Sequence, residues 1–142
     1  MDMSRVSACT FPLRERPWQV ALEVIARSGF DKVDLLGRLP HLSLDPAEYD
    51  PALTKDAAER LGLHVANLGT YVGRGFASED EAERERELAQ LRRAVDVAVL
   101  FGARSIRVMP GDDDPARIAR IAPWFAKGAQ YAAERGVYLG FE

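Results

Sequence analysis

The sequence predicts an α/β fold of parallel βα repeats, with five strands and about four helices. Apolar runs of strand length alternate with longer segments whose apolar residues recur at helical spacing. A glycine follows each helical segment, and these glycines lie roughly 35 residues apart, which is typical of a repeated unit. They are Gly29, Gly62, Gly102 and Gly136. Alternation of this kind indicates a parallel sheet whose strands are joined by right-handed helical crossovers.

The first half of the chain contains three predicted strands and two helices. The first strand is the apolar run RVSACTF, residues 5–11. A helix is expected to open near Pro17, because proline suits the first helical position. The second strand is FDKVDLL, residues 30–36. Asp50 and the proline after it form a cap and a first helical residue, and the third strand, LHVANL, follows at residues 63–68.

The second half begins with a glycine-rich loop, GTYVGRGF, at residues 69–76. Ser78 and Glu81 have the spacing of a capping box, so a long helix is expected to start there. The fourth strand is predicted over residues 105–109, where a proline and a glycine end it.

Asp114 and Pro115 repeat the cap-and-proline pattern and predict a fourth helix, which we expect Pro123 to break or kink. The fifth strand, VYLGFE, covers residues 137–142. Two architectures fit this pattern. One is an open doubly wound sheet, and the other is part of a (β/α)8 barrel, which normally needs about 250 residues.

Composition limits the function. The 142 residues carry a formal net charge of -3, are 47% hydrophobic and include one cysteine. We expect one domain over residues 1–142, because this length can bury a real core. The acidic balance disfavours nucleic acid and anionic membrane surfaces as partners, and no stretch approaches the ~20 apolar residues of a membrane helix. These features predict a soluble, cytoplasmic protein.

Four segments in order, GFDKVDLLG, LGLHVANLG, FGARSIRVMPG and LGFE, resemble the xylose isomerase-like (β/α)8 barrel superfamily. That superfamily includes sugar phosphate isomerases and epimerases and the endonuclease IV type of DNA-repair enzyme. The resemblance extends over the whole chain, which looks like the first half of the barrel.

The resemblance implies a divalent-metal site. In that family the fifth strand commonly ends in a glutamate that binds the metal, and Glu142 matches this position. The other ligands come from strands six to eight, which have no counterpart here. Isomerisation or epimerisation beside a carbonyl needs a polarised oxygen and a group that moves a proton. We therefore expect a small sugar or sugar phosphate as the ligand, and Mn, Mg or Zn held only weakly by this chain alone.

Four residues are candidates for the site, and each has a second interpretation. Glu142 is a metal ligand, or a terminal residue beside its own α-carboxylate. His41 contacts substrate or moves a proton, or is a loop residue without a chemical role. Arg107 binds phosphate or carboxylate, or pairs with a neighbouring strand through Asp34. Asn67 is a weaker candidate for binding a substrate hydroxyl.

Three other features have a chemical and a structural interpretation. The loop at residues 69–76 could cradle a phosphate, although a flexible connection or lid fits its composition better. The three consecutive aspartates at 112–114 suggest a metal site, but Asp114 is better explained as a helix cap. Cys9 is expected to be a small core residue.

Two alternative functions stay open at this point. One is a non-catalytic half-barrel that self-associates as a homo-oligomer, because an unclosed sheet leaves two free edges. The other is an endonuclease-like DNA-repair module, which the acidic charge and the absence of basic clusters disfavour.

Overall fold

The structure is a computed structural model that describes residues 5–110 and 114–142. Within these residues, five strands alternate with four α-helices, as the sequence predicts. The strands are β1 (Ala8–Cys9), β2 (Lys32–Leu36), β3 (His64–Gly69), β4 (Ser105–Val108) and β5 (Tyr138–Phe141). The helices are α1 (Trp18–Arg27), α2 (Pro51–Arg60), α3 (Glu81–Phe101) and α4 (Pro115–Ala133). Short 3-10 helices cover Phe11–Leu13 and Arg74–Ala77.

The five strands form one parallel sheet in the strictly sequential order β1-β2-β3-β4-β5. An open doubly wound sheet instead reverses its strand order at a switch point. Each helix also packs against the next one along the chain. This arrangement is that of the first half of a (β/α)8 barrel, so the ambiguity left by the sequence is resolved in favour of the barrel.

The glycine repeat marks the junctions between helices and strands. Gly29, Gly62, Gly102 and Gly136 have φ values of 83°, 71°, 72° and 69°, which lie in the left-handed region. Residues with a Cβ are strained there, and glycine is not. The predicted helix ends are confirmed at all four positions.

The helix starts are confirmed in part. Asp50 and Asp114 cap α2 and α4, and each accepts a hydrogen bond of 2.9 Å from the backbone N–H two residues on. The predicted capping box at α3 is wrong, because Asp80 is the cap and accepts from the Ala82 N–H at 2.9 Å. Ser78 lies two residues earlier and accepts from the Asp80 N–H. At α1, Pro17 is the cap rather than the first helical residue.

The expected break at Pro123 does not occur, since α4 is continuous from Pro115 to Ala133. Ile121 precedes the proline and Trp124 and Phe125 follow it, and all three are buried. Burying a large apolar side chain contributes about 1.5–3 kcal/mol, so three of them offset the cost of about 3 kcal/mol for a helix-interior proline.

The two faces of the sheet differ in chemistry. Side chains that point towards the helices are apolar and fully buried, and they include Val33, Leu35, Leu68, Ile106 and Val108. The side chains between them along the same strands are polar and half-buried, namely Asp34, Asn67, Ser105 and Arg107. The helix side therefore holds the core, and the opposite side carries polar groups. Within the described residues, no helix is long and apolar enough to cross a membrane.

Gly102, which caps the end of α3, allows a test of the requirement for glycine at the helix ends of the repeat. We expect Gly102→Ala to lower the free energy of unfolding by about 1 kcal/mol, because alanine is strained at positive φ. Chemical denaturation measures this change. Gly140→Ala is the matched control, since Gly140 does not have positive φ and its added Cβ would have only Ile106 O nearby, at 3.7 Å. Equal effects of the two substitutions would contradict the assignment.

Candidate functional site

A cavity of about 380 Å³ lies where the strands end, on the polar face of the sheet. Active sites of parallel barrels are built at this carboxyl edge. The lining combines apolar, acidic and basic groups: Cys9, Phe11, Pro12, Asp34, Leu36, Gly69, Arg107 and Glu142. The cavity brings together two of the four residues that the sequence singled out, Arg107 and Glu142, and Asn67 supports it from below.

Arg107 is the most constrained side chain of the site. Its Nε donates to Thr70 O at 3.0 Å, and its Nη2 donates to Gly69 O at 3.1 Å. Its guanidinium carbon lies 4.6 Å from the ring centroid of Tyr71, a cation–π distance. Burial alone would lower the pKa of Arg107, but hydrogen bonds with Tyr71 and Glu142 raise it overall. The guanidinium is therefore a fixed positive charge at the wall of the cavity.

Glu142 pairs with this arginine. Its Oε2 accepts from Arg107 Nη1 at 2.8 Å, and its backbone N–H donates to Val108 O at 3.2 Å. The glutamate side chain is 64% exposed and that of the arginine 25%. The predicted ion pair between Arg107 and a neighbouring strand is present, but its partner is Glu142, which follows β5, and not Asp34.

Asp34 is oriented by a chain of side-chain hydrogen bonds across three strands. Asn67 Nδ2 donates to Asp34 Oδ1 at 2.9 Å, and Asn67 Oδ1 accepts from Ser105 Oγ at 2.8 Å. The carboxylate only accepts, so it faces the NH2 group of Asn67, and the serine hydroxyl donates to the amide oxygen at the other end. Asn67, the predicted hydroxyl-binding residue, has both ends of its side chain engaged and acts on the cavity through Asp34.

Two acidic groups of the cavity also have raised pKa values. Partial burial raises the pKa of Asp34, and the nearby Glu142 adds to this, against the lowering effects of Asn67 and Arg107. Burial also raises the pKa of Cys9, so its thiol stays protonated near neutral pH. The expectation that Cys9 belongs to the core is wrong: β1 has only two residues, and the cysteine is exposed and lines the cavity.

His41 lies outside the cavity and is fully buried. Its Nε2 is 3.0 Å from Arg16 O, which only accepts, so Nε2 carries the proton. Its Nδ1 is 2.8 Å from Thr10 Oγ1, and the same hydroxyl accepts from the Leu36 N–H. The histidine thus ties the loop after β2 to the loop after β1. No ligand-facing nitrogen remains, so the structure does not bring His41 to the other predicted residues.

The glycine-rich loop is packed rather than open. The Gly73 N–H donates to the Glu87 carboxylate, and the Phe76 N–H donates to Gly73 O. The Thr70 hydroxyl donates to Arg107 O at 2.5 Å. Because these backbone amides already have acceptors, they do not form a phosphate cradle, and the loop instead supports Arg107.

A metal site is incomplete in the part of the chain that the structure describes, where no group of three or more His, Cys, Asp and Glu residues is arranged to hold an ion. Two of the three consecutive aspartates, at 112 and 113, lie outside the described residues, and Asp114 caps α4. Glu142 is a single candidate ligand already paired with a guanidinium. The residues present therefore do not fit a divalent metal without further donors.

Sequence reasoning missed Asp34 and Tyr71 as parts of the site. The signal for Asp34 was present, because it is a charged residue between apolar neighbours in β2, at the same height as Asn67 in β3. Tyr71 gave no signal, since its contact with Arg107 depends on the path of the loop after β3.

The comparisons with known proteins identify the family. A family model described as a xylose isomerase-like TIM barrel matches residues 22–142. The chain belongs to this family. A search of the curated proteins finds no match.

Solved structures show the same fold. D-allulose 3-epimerase from Methylomonas sp. is 27% identical, with a TM-score of 0.69 over 87% of this chain and 44% of that one. A D-tagatose 3-epimerase-like protein is 15% identical, with a TM-score of 0.76 over 95% of this chain and 51% of that one. 3-Keto-D-glucoside 4-epimerase from E. coli is 17% identical, with a TM-score of 0.72 over 95% and 54% of the two chains. The chain thus spans about half the length of these proteins.

The raised pKa of Asp34 predicts how stability changes when its charge is removed. A carboxyl group whose pKa is higher in the folded state disfavours folding once the unfolded chain ionises, above its ordinary value of 3.8. Asp34→Asn should therefore raise the free energy of unfolding at pH 7 relative to the unmodified chain.

Below pH 3.8 this gain should disappear, because the carboxyl group is then protonated in both states. Urea denaturation at the two pH values measures the difference. An Asp34→Asn protein that is less stable than the unmodified chain at pH 7, with the deficit disappearing below pH 3.8, would contradict the prediction, because it would show that the ionised carboxylate stabilises the fold.

Proposed function

We propose that this chain binds a small sugar and forms the N-terminal half of an isomerase or epimerase site that moves a proton next to a carbonyl. The observation that carries the proposal is the cavity at the carboxyl edge of the sheet, where Asp34, Arg107 and Glu142 converge. The family, and the epimerases among the similar structures, support this class of reaction. We propose that residues 1–142 act as one domain in this function.

The cavity matches the chemistry of a sugar. The carboxylates of Asp34 and Glu142 accept hydrogen bonds from hydroxyl groups, and Arg107 donates them. Phe11 and Pro12 supply apolar surface for the C–H face of the ring. When a proton leaves a carbon next to a carbonyl, negative charge develops on the carbonyl oxygen, and the fixed guanidinium of Arg107 would stabilise that charge. A phosphate on the sugar would meet the carboxylates of Asp34 and Glu142 beside this cation, so a neutral sugar fits the cavity better.

Glu142 is the proposed metal ligand of a complete barrel. A divalent cation such as Mn, Mg or Zn would supply polarisation of the carbonyl oxygen. The chain offers this glutamate as a single ligand, so the remaining donors have to come from a second half of the site. Arg107 would hold the carboxylate in position until they do.

A titration of the isotopically labelled chain with D-fructose, a neutral ketose, followed by NMR tests this proposal. Bound sugar should shift the backbone amides of Gly69 and Thr70 and the Nε–H of Arg107, because these groups border the cavity. Shifts confined to another surface, or no shifts up to the solubility limit of the sugar, would refute sugar binding at this site.

Manganese added to the same sample should broaden signals around Glu142. Glu142→Gln should abolish that broadening, because it removes the carboxylate charge. Glu134→Gln, at an exposed glutamate near the end of α4, should retain it. Equal broadening in both variants would place the metal elsewhere.

A second candidate function, a self-associating half-barrel, is favoured by the state of β5. Within the described residues, β5 pairs only with β4, so its other edge has no partner strand. Tyr138 and Phe141 on this strand are 65% and 62% exposed. Beside them, Ala129 and Ala133 of α4 line an apolar groove. Free strand edges and large exposed apolar groups promote association, so we propose a homo-oligomer formed through this edge.

Light scattering tests the self-association. We expect a solution mass above that of the 15.7 kDa monomer. Tyr138→Lys should shift the chain towards the monomer, because a lysine ammonium resists burial at the interface. Leu53→Lys is the control, since Leu53 is also exposed but lies on α2, away from the edge. A monomer at every concentration would refute this second candidate.

The predicted cytoplasmic location and the absence of nucleic-acid and membrane partners stay part of this proposal. The charges at the surface support it, because arginines and acidic residues pair locally, as at Arg27 with Glu23 and Arg135 with Asp96. Such pairing leaves less positive potential for a phosphate backbone.

A further inference from the structure

The floor of the cavity contains a small two-point subsite formed by Asp34 and Arg107 on either side of Gly69. A Cβ placed on Gly69 would lie 3.3 Å from the backbone oxygen of Leu35, 3.4 Å from Asp34 Oδ1 and 3.9 Å from Arg107 Cζ. An atom in this position thus touches an acidic and a basic side chain at once. The missing side chain of the glycine leaves that space open.

The backbone at Gly69 does not itself demand glycine. Gly69 belongs to β3, and it is not one of the glycines with positive φ in the described residues. A side chain at this position would press on the backbone oxygen of Leu35, and it would also fill the space between the carboxylate of Asp34 and the guanidinium of Arg107. Glycine within a strand often marks such a close approach of a ligand.

Both side chains of the subsite are held by the protein before any ligand arrives. Arg107 is fixed by the carbonyl oxygens of Gly69 and Thr70. Asp34 Oδ1 is fixed by Asn67, while its Oδ2 makes no hydrogen bond within the described residues. A free carboxylate oxygen accepts a hydrogen bond, and an arginine with five N–H groups has a donor left beyond those engaged by Gly69, Thr70, Glu142 and Tyr71.

We propose that this subsite binds two adjacent hydroxyl groups of the sugar. One hydroxyl donates to Asp34 Oδ2, and its neighbour accepts from Arg107. A hydroxyl group both donates and accepts, so a vicinal pair satisfies the acid and the base together. An anion would be attracted to Arg107 but repelled by Asp34 and Glu142. The subsite therefore selects neutral polyols, and Asn67 and Ser105 act as positioning residues beneath Asp34.

This inference rests on the proposed sugar binding and makes it specific. The test compares D-fructose with D-gluconate, an anionic polyol, by NMR titration of the purified chain. Gly69→Ala should weaken D-fructose binding by about tenfold, equivalent to the loss of ~1.4 kcal/mol, because the methyl group occupies the hydroxyl positions. Gly140→Ala adds the same methyl group to β5, two strands away, with only Ile106 O within 4 Å, and should bind like the unmodified chain.

Asp34→Asn is the second variant, because it keeps the size of the side chain and does not depend on how Gly69→Ala folds. It replaces the free acceptor by an amide group and should also weaken D-fructose binding by about tenfold. Thermal unfolding of each variant shows that the loss is not a loss of fold.

The outcomes separate the two proposals. No binding of D-fructose by the unmodified chain overturns both the sugar-binding function and the subsite. Binding that survives Gly69→Ala and Asp34→Asn overturns the subsite and leaves sugar binding intact. Tighter binding of D-gluconate than of D-fructose also overturns the subsite, because it shows an anion site at Arg107.

Discussion

The hydrogen bonds from Arg107 to the carbonyl oxygens of Gly69 and Thr70 are the constraint on which the rest of the site depends. They attach the side chain of one strand to the backbone end of its neighbour. The same guanidinium then holds Glu142 after the next strand. One side chain thereby joins the ends of β3, β4 and β5. Because two of its bonds are to backbone, the cation keeps its place whether or not the glutamate is engaged.

A second set of hydrogen bonds on the polar face of the sheet orients an acidic side chain rather than a basic one. Ser105 orients Asn67, and Asn67 orients Asp34, so three strands contribute to the direction of one carboxylate. These three hydrogen-bonded side chains lie on the face of the sheet opposite the apolar side chains that pack against the helices. Successive side chains of a strand point to opposite faces of the sheet. Neighbouring residues therefore belong either to the core, which stabilises the fold, or to the groups that would contact a ligand.

The repeat was predictable because it is encoded locally. A glycine at positive φ, a cap of Asp50 type and an apolar strand each depend on a few consecutive residues. The predicted capping residue of α3 was two positions too early. Ser78 and Asp80 are both good caps, and local rules do not choose between them. At Pro123, burial on both sides outweighed a correct local rule about proline.

The site was less predictable because its contacts cross between strands. Arg107 and Glu142 were identified from their types and positions, but the sequence could not say that they pair with each other, since this depends on the register of β4 and β5. His41 shows the opposite case. A histidine after a strand has the same signature whether it faces a ligand or, as here, is buried between two loops.

The burial of His41 has a consequence for the route by which a ligand reaches the cavity. The histidine accepts from Thr10 and donates to Arg16 O, on either side of the short helix Phe11–Leu13. That helix carries the apolar wall of the cavity, and its two ends are therefore tied to the next repeat. A ligand that enters over the carboxyl edge would pass beside the exposed carboxylate of Glu142, so this residue would lie at the entrance as well as in the site.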